Sequence, residues 1–424
     1  MALDTETPER TSLDTDPLAA GANLATVAPG VDITTIDDQT MIVNMGPQHP
    51  STHGVLRVVL ELDGEVIVRA TPHIGYVHTG IEKELEYQTY LKGVTLTDRM
   101  DYVSALINNA AYTLSVEKLL GIEVPERGQV LRVMLMEMQR IASHLVWLGT
   151  HLLDLGAVTV FFYAFQQREK LLDMVEMMSG VRMMPSWIVP GGLRGDAPEG
   201  WFDRAKDFCD DFPRAMEEIE ALLNANPIFR ERTQGVGVLS VEDCLGLGVG
   251  GPTLRAAGIE YDVRKSLPYS GYENYQFYVP TGQFSDVYDR YRVRMAEVLQ
   301  SREIIKQCVE HMPGGPINVD DRKIVPPPRV ELDNSMEAVI HHFKLWTEGF
   351  HPPVGEAYVP LESPKGEIGF YIVSDGTNRP WRAHERPPCF MNLQALSRLC
   401  EGRLIADVVA IIGSIDIILG EIDR

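Results

Sequence analysis

The sequence predicts an α+β fold that is mostly α, with small antiparallel β pieces. Long stretches have the apolar periodicity of helices, and two short stretches alternate apolar and polar residues around turn signals. No internal repeat is present. The chain has 424 residues, of which 45% are hydrophobic and 23% charged, so it can bury a large core.

Residues 1–38 are predicted to form an acidic tail, disordered or extended, ahead of one domain over residues 39–424. The tail carries eight acids and one arginine with few large apolar groups, so burial cannot offset the entropy of ordering it. Residues 55–70 then alternate around Asp63-Gly64, which is a strong hairpin signal. A second hairpin is predicted over residues 355–376.

Between the hairpins the pattern is helical. One helix is predicted from a cap at Asp98 to Gly121, and a second from Pro125 to about Asp154. Further helices are predicted over residues 158–178, 199–224, 284–312, 335–348 and 391–401. The domain should therefore consist mainly of packed helices.

Charge and cysteine content exclude several classes of function. A formal charge of −22 argues against nucleic acid as a partner and against direct adsorption to anionic lipid. The five cysteines form no C-x-x-C motif, which excludes a disulfide framework and suits a reducing cytoplasm. We see no signal peptide, and the most apolar run is broken by Asp416, so we expect a soluble protein.

The segment "GPQHPSTHG" carries His49 and His53 four residues apart. On a helix this spacing can bind zinc, but Pro50 between the histidines and Gly54 after them predict a loop. From the loop alone, a hydrogen-bonded structural histidine and a ligand-binding histidine are equally good interpretations of His53.

A second set of polar residues shares one face of the predicted long helix. His144 and His151 would lie ~10 Å apart along the axis, which is too far for one metal ion. Both are therefore expected to be buried and hydrogen-bonded. Asp154 ends the helix in an apolar setting, where a carboxylate needs a basic partner such as a histidine.

Several long strings occur in order along the chain, among them "MGPQHPSTHGVLR", "PHIGYVHTGIEK", "LTDRMDYVS", "RIASHLVWLGTHLLDLGA" and "DIILGEIDR". Together they resemble the 49-kDa subunit family of respiratory complex I, the bacterial NADH–quinone oxidoreductase. The resemblance runs from about residue 40 to Arg424. It implies a helical core like that of nickel–iron hydrogenase large subunits.

Hydrogenase large subunits hold their metal with two C-x-x-C motifs. Here Asp101 and Ser104 stand at the spacing of the first motif, and Ile418 and Glu421 at that of the second. Without thiolates, a soft nickel–iron centre has no ligands. The hydrogenase hypothesis therefore fails, and we expect this chain to bind neither a metal nor an iron–sulfur cluster.

In the family the emptied metal cavity is the head-group end of a quinone tunnel. The resemblance implies that His53 and Tyr102 hydrogen-bond the quinone oxygens and that Asp154 holds His53 as the third catalytic residue. His49 and Arg99 are the expected cofactor-binding residues, His49 chiefly by stabilising the turn and Arg99 close to a cluster in a partner. Quinone is the substrate, and FMN and the iron–sulfur clusters lie in partner subunits.

The implied partners are the subunit that carries the terminal iron–sulfur cluster, the adjacent peripheral-arm subunit and the membrane subunit at the quinone tunnel. The implied location is peripheral, at the cytoplasmic face of the cell membrane, in a proton-translocating complex. A non-catalytic scaffold in a related membrane-bound, hydrogenase-like complex is the alternative, and the intact set His53, Tyr102 and Asp154 disfavours it. An independent metal hydrolase fails for want of a ligand cluster.

Two departures from the family predict which quinone is used. Many relatives that use ubiquinone have arginine where this chain has Thr79, and histidine where it has Met184. Loss of these cations should leave the neighbouring cluster at a low reduction potential. Because menaquinone has a lower potential than ubiquinone, the sequence predicts menaquinone as the substrate.

Overall fold

The structure is a computed structural model that describes residues 24–28, 31–35 and 40–424. Helices account for most of its regular structure. They are α1 (Ile81–Tyr87), α2 (Tyr90–Thr97), α3 (Ala105–Leu120), α4 (Glu126–Asp154), α5 (Val158–Ser179), α6 (Trp201–Asn224), α7 (Pro227–Thr233), α8 (Val241–Gly246), α9 (Gly251–Ala256), α10 (Val263–Ser266), α11 (Val287–Glu310), α12 (Arg329–Leu332), α13 (Met336–Thr347), α14 (Pro388–Leu393), α15 (Leu396–Cys400), α16 (Ile405–Ile415) and α17 (Leu419–Asp423).

The strands of the described residues form three small antiparallel sheets. They are β1 (Leu24–Ala28), β2 (Val31–Thr35), β3 (Thr40–Met45), β4 (Arg57–Asp63), β5 (Val66–His73), β6 (Ile188–Val189), β7 (Gly192–Leu193), β8 (Gly355–Ser363), β9 (Gly366–Ser374) and β10 (Arg382–Arg386). The sheet orders are β1-β2-β3-β4-β5, β6-β7 and β10-β9-β8. The predicted class, α+β and mostly α, is confirmed.

Both predicted hairpins are present. Ser363 pairs with Gly366 at the turn between β8 and β9. Asp63 pairs with Val66, so the first turn is centred one residue later than expected, on Gly64-Glu65. Gly64 has a φ of 62°, a left-handed conformation that glycine adopts without steric penalty.

Part of the predicted tail over residues 1–38 is extended backbone. Within it, β1 pairs with β2, and β2 pairs with β3 from Val31 opposite Met45 to Thr35 opposite Met41. In sequence, the expected boundary between the tail and the domain lies between β2 and β3, and the division into a tail and a domain stays a prediction. The other residues of the predicted tail lie outside the described part of the chain.

Helix α4 is the centre of the helical core. Its 29 residues span ~44 Å at 1.5 Å per residue, and it packs against α5, α11 and α16. Pro125 stands immediately before it and Asp154 is its last residue, as predicted. Gly121 closes α3 with a φ of 65°, also as predicted.

The predicted helix cap at Asp98 is wrong. Helix α3 begins seven residues later, at Ala105, with Ser104 at the N-cap position. The Asp98 carboxylate is buried and accepts hydrogen bonds from Asn109 Nδ2 at 2.7 Å and from the Ser186 hydroxyl. Because these tertiary partners use its oxygens, the segment between α2 and α3 stays non-helical.

The last part of the chain packs beneath the first sheet. Buried apolar side chains of α16 and α17 form a cluster with those of β3, β4 and β5. The apolar run ends at Ile415, and Asp416 follows with a φ of 52°. Within the part of the chain that the structure describes, none of the helices has both the length and the apolar character needed to cross a membrane.

Candidate functional site

The loop that carries the two histidines is held by its own hydrogen bonds. The Ser51 backbone N–H donates to His49 Nδ1 at 3.2 Å, and Thr52 Oγ1 donates to the His49 carbonyl at 3.0 Å. One 3₁₀ turn covers Pro50–Thr52, and His53 follows with a φ of 55°. His49 therefore stabilises the turn that presents His53.

A cavity of about 360 Å³ lies between this loop, the segment before α3 and the C-terminal ends of α4 and α16. Three of the predicted site residues line it, namely His53, Tyr102 and Asp154. The loop, the helix end and the segment before α3 are far apart in sequence, and the fold brings them to one wall. His49 and Arg99 are not part of the cavity lining.

His53 is half-buried in the cavity wall, and its imidazole donates a hydrogen bond to the carbonyl of Ile417. Burial lowers the pKa of His53 to about 4, the bond to Ile417 opposes this shift, and the charge of Lys365 adds to it. His53 is therefore neutral at pH 7. With its N–H engaged by the backbone, its other ring nitrogen offers a lone pair.

Asp154 does not make the expected contact with His53 in the described structure. Burial raises the pKa of the Asp154 carboxyl, and the charged group that opposes this shift is His49. The predicted role of Asp154 in holding His53 stays a prediction.

Tyr102 is half-buried, and its ring packs against α17. A Cβ atom at Gly420 would lie 2.6 Å from the Met100 carbonyl oxygen and 3.1 Å from Tyr102 Cδ1, so only glycine allows this approach. Burial, followed by the charge of Asp101, raises the pKa of the Tyr102 phenol. The hydroxyl therefore stays protonated at neutral pH and can donate a hydrogen bond into the cavity.

Behind Tyr102 lies a fully buried ion pair. Lys365 Nζ is 3.0 Å from Asp101 Oδ2 and donates to Ser143 Oγ at 2.5 Å, while the Ser104 hydroxyl also donates to Asp101. Burial opposes the charge on Lys365, but the carboxylates of Asp101 and Asp416 hold its pKa above the ordinary value. The residues at the spacing of the first C-x-x-C motif, Asp101 and Ser104, are thus engaged by this salt bridge and its hydrogen bonds.

The residues at the spacing of the second C-x-x-C motif, Ile418 and Glu421, are also engaged by hydrogen bonds. The Cys389 N–H donates to Glu421 Oε2 at 3.1 Å, and the Ile418 N–H lies 3.3 Å from Cys389 Sγ. Burial, followed by the charge of Asp101, raises the pKa of Glu421 to about 8. Within the described residues, no group of three or more His, Cys, Asp and Glu side chains is arranged to hold a metal ion.

Comparison with known proteins decides the family. The family model described as "Respiratory-chain NADH dehydrogenase, 49 Kd subunit" matches residues 154–424. The D 2 subunit of NADH-quinone oxidoreductase from Chloroflexus aurantiacus is 54% identical over 413 residues, covering 97% of this chain and all of that relative. This chain belongs to the 49-kDa subunit family of respiratory-chain NADH dehydrogenase.

Other members of the 49-kDa family are similarly close along their whole lengths. The D 1 subunit of NADH-quinone oxidoreductase from Herpetosiphon aurantiacus is 54% identical over 390 residues, which cover 91% of this chain and 92% of that relative. The corresponding NADH-quinone oxidoreductase protein of Geotalea uraniireducens is 51% identical over 386 residues, which cover 91% and 99%. The predicted family is confirmed, and the chain is one component of a multi-subunit oxidoreductase.

The three residues predicted to lie near a partner's cluster in this 49-kDa protein, Arg99, Thr79 and Met184, are not part of the cavity lining. Arg99 is exposed over 53% of its side chain, and its guanidinium is 3.8 Å from the buried Asp98. Met184 has a φ of 56°, in the loop that Asp98 holds through Ser186. Thr79 is exposed. The role of Arg99 near a partner's cluster stays a prediction.

Three residues at the site of this 49-kDa protein were missed or misjudged from sequence. Lys365 sits in the turn "SPKG", which is typical of an exposed hairpin loop, yet it is fully buried. Asp416 could have been identified from sequence as the single acid in an apolar run, because a buried carboxylate requires a polar or charged partner. His151 is buried as predicted but has no hydrogen-bond partner in the described structure, whereas His144 is 3.0 Å from Glu297 as expected.

Proposed function

We propose that this chain forms the quinone head-group site of a proton-translocating NADH–quinone oxidoreductase. The observation that carries the proposal is the cavity in which His53 and Tyr102 share a wall with Asp154. A cavity of about 360 Å³ suits one ring-sized head group. The test is whether removing the Tyr102 hydroxyl abolishes quinone reduction while NADH oxidation by ferricyanide, which accepts electrons upstream, persists.

Quinone reduction takes up two electrons and two protons, and each proton ends on one of the two ring oxygens. Electrons alone would leave a dianion without stabilisation in a buried cavity. The neutral Tyr102 phenol is a donor to one oxygen from the start, because its raised pKa keeps it protonated. Its hydrogen bond strengthens as that oxygen becomes negative.

His53 has a different role because it is neutral in the resting site. Negative charge on the reduced head group favours the imidazolium form, so reduction raises the pKa of His53 and lets it take up a proton. From there the proton passes to the second quinone oxygen. The charge of Lys365, which lowers the pKa of His53, makes the imidazolium a stronger acid.

Asp154 and His49 support the loop electrostatically in this proposal. The pKa effect of His49 on Asp154 means that the carboxylate and the loop histidine attract each other. A carboxylate at this position stabilises positive charge on the histidine loop during proton uptake. His49 also fixes the turn that holds His53.

Asp154→Asn should shift the pH profile of quinone reduction toward lower pH. The amide keeps the shape but removes a negative charge from the cavity wall that holds His53, and loss of a nearby negative charge disfavours the imidazolium form of His53. Activity that depends on protonated histidine should therefore fall at a lower pH in the variant than in the wild-type complex. We would measure quinone reduction from pH 5 to 9 in the assembled complex.

The control for Asp154→Asn is Asp207→Asn, which removes an exposed carboxylate from α6. The control should keep the wild-type profile. A wild-type profile with full activity in Asp154→Asn would remove this residue from the mechanism.

The remaining partners follow from the same proposal. Electrons would reach the head group from a terminal iron–sulfur cluster in a neighbouring subunit, itself supplied by FMN and other clusters. A peripheral-arm subunit and a membrane subunit at the tunnel would hold the chain at the cytoplasmic face of the membrane. Arg99, exposed on the surface beside Asp98, is the residue we propose to face the cluster.

The proposed quinone is menaquinone. A cation beside a cluster stabilises the added electron: one unit charge ~6 Å away at an effective dielectric constant of ~20 is worth about 3 kcal/mol. For a one-electron couple this is on the order of 100 mV. Thr79 and Met184 supply no charge, so Arg99 is the cation left from the family pattern.

We expect the terminal cluster to have a low midpoint potential that changes little with pH, because Met184 cannot titrate. Redox titration followed by electron paramagnetic resonance measures this midpoint. Met184→His should restore part of the pH dependence. A high, strongly pH-dependent midpoint in the wild-type complex would overturn the menaquinone proposal.

A further inference from the structure

The cavity wall contains an imidazole that the proposed function does not use. His151 lies one turn before Asp154 on α4, and only 2% of it is exposed. Neither of its ring nitrogens has a hydrogen-bond partner in the described structure. A buried polar group without a partner calls for an explanation, and a bound ligand or water that supplies the hydrogen bond is one such explanation.

The imidazole of His151 is fixed by dedicated packing. It stacks on Trp147, with ring centroids 5.4 Å apart and planes 18° apart. Trp147 Nε1 donates to the Gly413 carbonyl at 2.6 Å. On the Trp147 ring lies the Arg294 guanidinium, whose Cζ is 4.3 Å from the ring centroid. The ring cannot easily turn away to find a protein partner.

Helix α16 leaves space for this ring by having glycine at the contact. A Cβ atom at Gly413 would lie 2.1 Å from His151 Nδ1, a distance that no side chain tolerates. Beyond Gly413, Asp416 also lines the cavity, and its Oδ2 is buried without a partner in the described structure. The inner wall therefore contains an imidazole and a carboxylate oxygen that have no hydrogen-bond partner among the described residues.

His151 contributes hydrogen bonding and no charge. Burial, followed by the charges of Arg294 and Arg290, lowers the pKa of His151 to about 3. At physiological pH the ring is neutral, with one N–H donor and one acceptor nitrogen. It can hold a ligand oxygen but does not supply a proton.

The oxidised quinone needs such a donor. Both of its carbonyl oxygens are acceptors only, and the N–H of neutral His53 is already given to Ile417. Tyr102 supplies one donor, and a second donor is required at the other oxygen. In the described lining of this cavity, the imidazole without a protein partner is that of His151.

We propose that His151 binds the oxidised quinone by donating a hydrogen bond to one of its ring oxygens. This inference rests on the proposed function and assigns binding and proton transfer to different residues. His151 and Tyr102 bind the oxidised head group, and His53 acts once the head group has become negative. His151 is thus a residue for substrate affinity rather than for proton transfer.

The test compares His151→Phe with His151→Gln in the assembled complex, using a short-chain quinone. Phenylalanine keeps a flat ring on Trp147 but has no donor, so KM should rise about tenfold, the value of one lost hydrogen bond, with kcat within about twofold. Glutamine retains an N–H donor, so its KM should stay within about threefold of wild type. The pH profile should not move in either variant.

Two results would overturn the assignment. A wild-type KM in His151→Phe would mean that the ring does not bind the head group, and water would then be its partner. Equal loss of activity in both variants would mean that the ring serves packing alone.

The Tyr102→Phe variant, measured alongside, separates this proposal from the proposed function. If the Tyr102→Phe complex reduces quinone normally, the proposed function itself fails. If Tyr102→Phe is impaired and His151→Phe is normal, only the role of His151 fails.

A third variant tests the position of the imidazole ring without changing the ring itself. Gly413→Ala places a methyl group where His151 Nδ1 lies, so the imidazole must move and KM should rise as in His151→Phe. Gly246→Ala is the matched control, because its Cβ would meet nothing within 4 Å. A normal KM in an assembled Gly413→Ala complex would contradict the proposal.

Discussion

Tyr102→Phe should lower quinone reduction about a hundredfold, the usual scale for loss of a group that donates a proton or hydrogen bond in the transition state. The change deletes one hydroxyl and keeps the ring that packs near Gly420. The complex should therefore assemble normally. The measurement pairs quinone reduction with NADH oxidation by ferricyanide, which should be unchanged.

The matched control for this substitution is Tyr278→Phe. Tyr278 is 59% exposed and does not line the cavity, so its loss of a hydroxyl should leave both activities at wild-type values. Normal quinone reduction by a fully assembled Tyr102→Phe complex would show that the phenol has no part in the reaction.

Lys365→Met should have the largest effect on stability. It leaves the Asp101 carboxylate buried without its ion-pair partner 3.0 Å away, which typically costs about 3–5 kcal/mol. The amount of assembled complex in membranes and its melting temperature should both fall. In the complex that still assembles, the pKa of His53 should rise, because the opposing charge of Lys365 is gone.

The double variant Asp101→Asn/Lys365→Met separates loss of the ion pair from loss of packing. Asparagine can still accept from the Val103 N–H, as Asp101 does at 3.1 Å, but carries no charge to be stranded. The double variant should therefore be more stable than Lys365→Met alone. If it is no more stable, the buried charge of Asp101 is not the cause of the damage.

Local sequence patterns predicted the secondary-structure elements better than they predicted the tertiary contacts. The caps and breakers around α4 and the two hairpin turns were found because proline, glycine and alternation act within a few residues. The false cap at Asp98 shows the limit. Its carboxylate is taken by Asn109 and by Ser186, which lies 88 residues away in sequence, so no local pattern could reveal it.

The site residues came from the family resemblance, and the structure changes how they are connected. His53, Tyr102 and Asp154 do line one cavity, but His53 bonds a backbone carbonyl, and the charge that lowers the pKa of Asp154 is that of His49. The burial of Lys365 depends on a hairpin packing over α4. Such contacts depend on tertiary packing, which a periodicity or a motif does not encode.

The most direct measurement is the structure of the assembled complex with a short-chain quinone bound, determined by cryo-electron microscopy. We expect the ring in the cavity beside α4, with one ring oxygen about 2.7–3.2 Å from the Tyr102 hydroxyl, at normal hydrogen-bond distance. The other oxygen should lie near His53 and His151. A head group bound elsewhere, with this cavity filled only by water, would contradict the proposed quinone site.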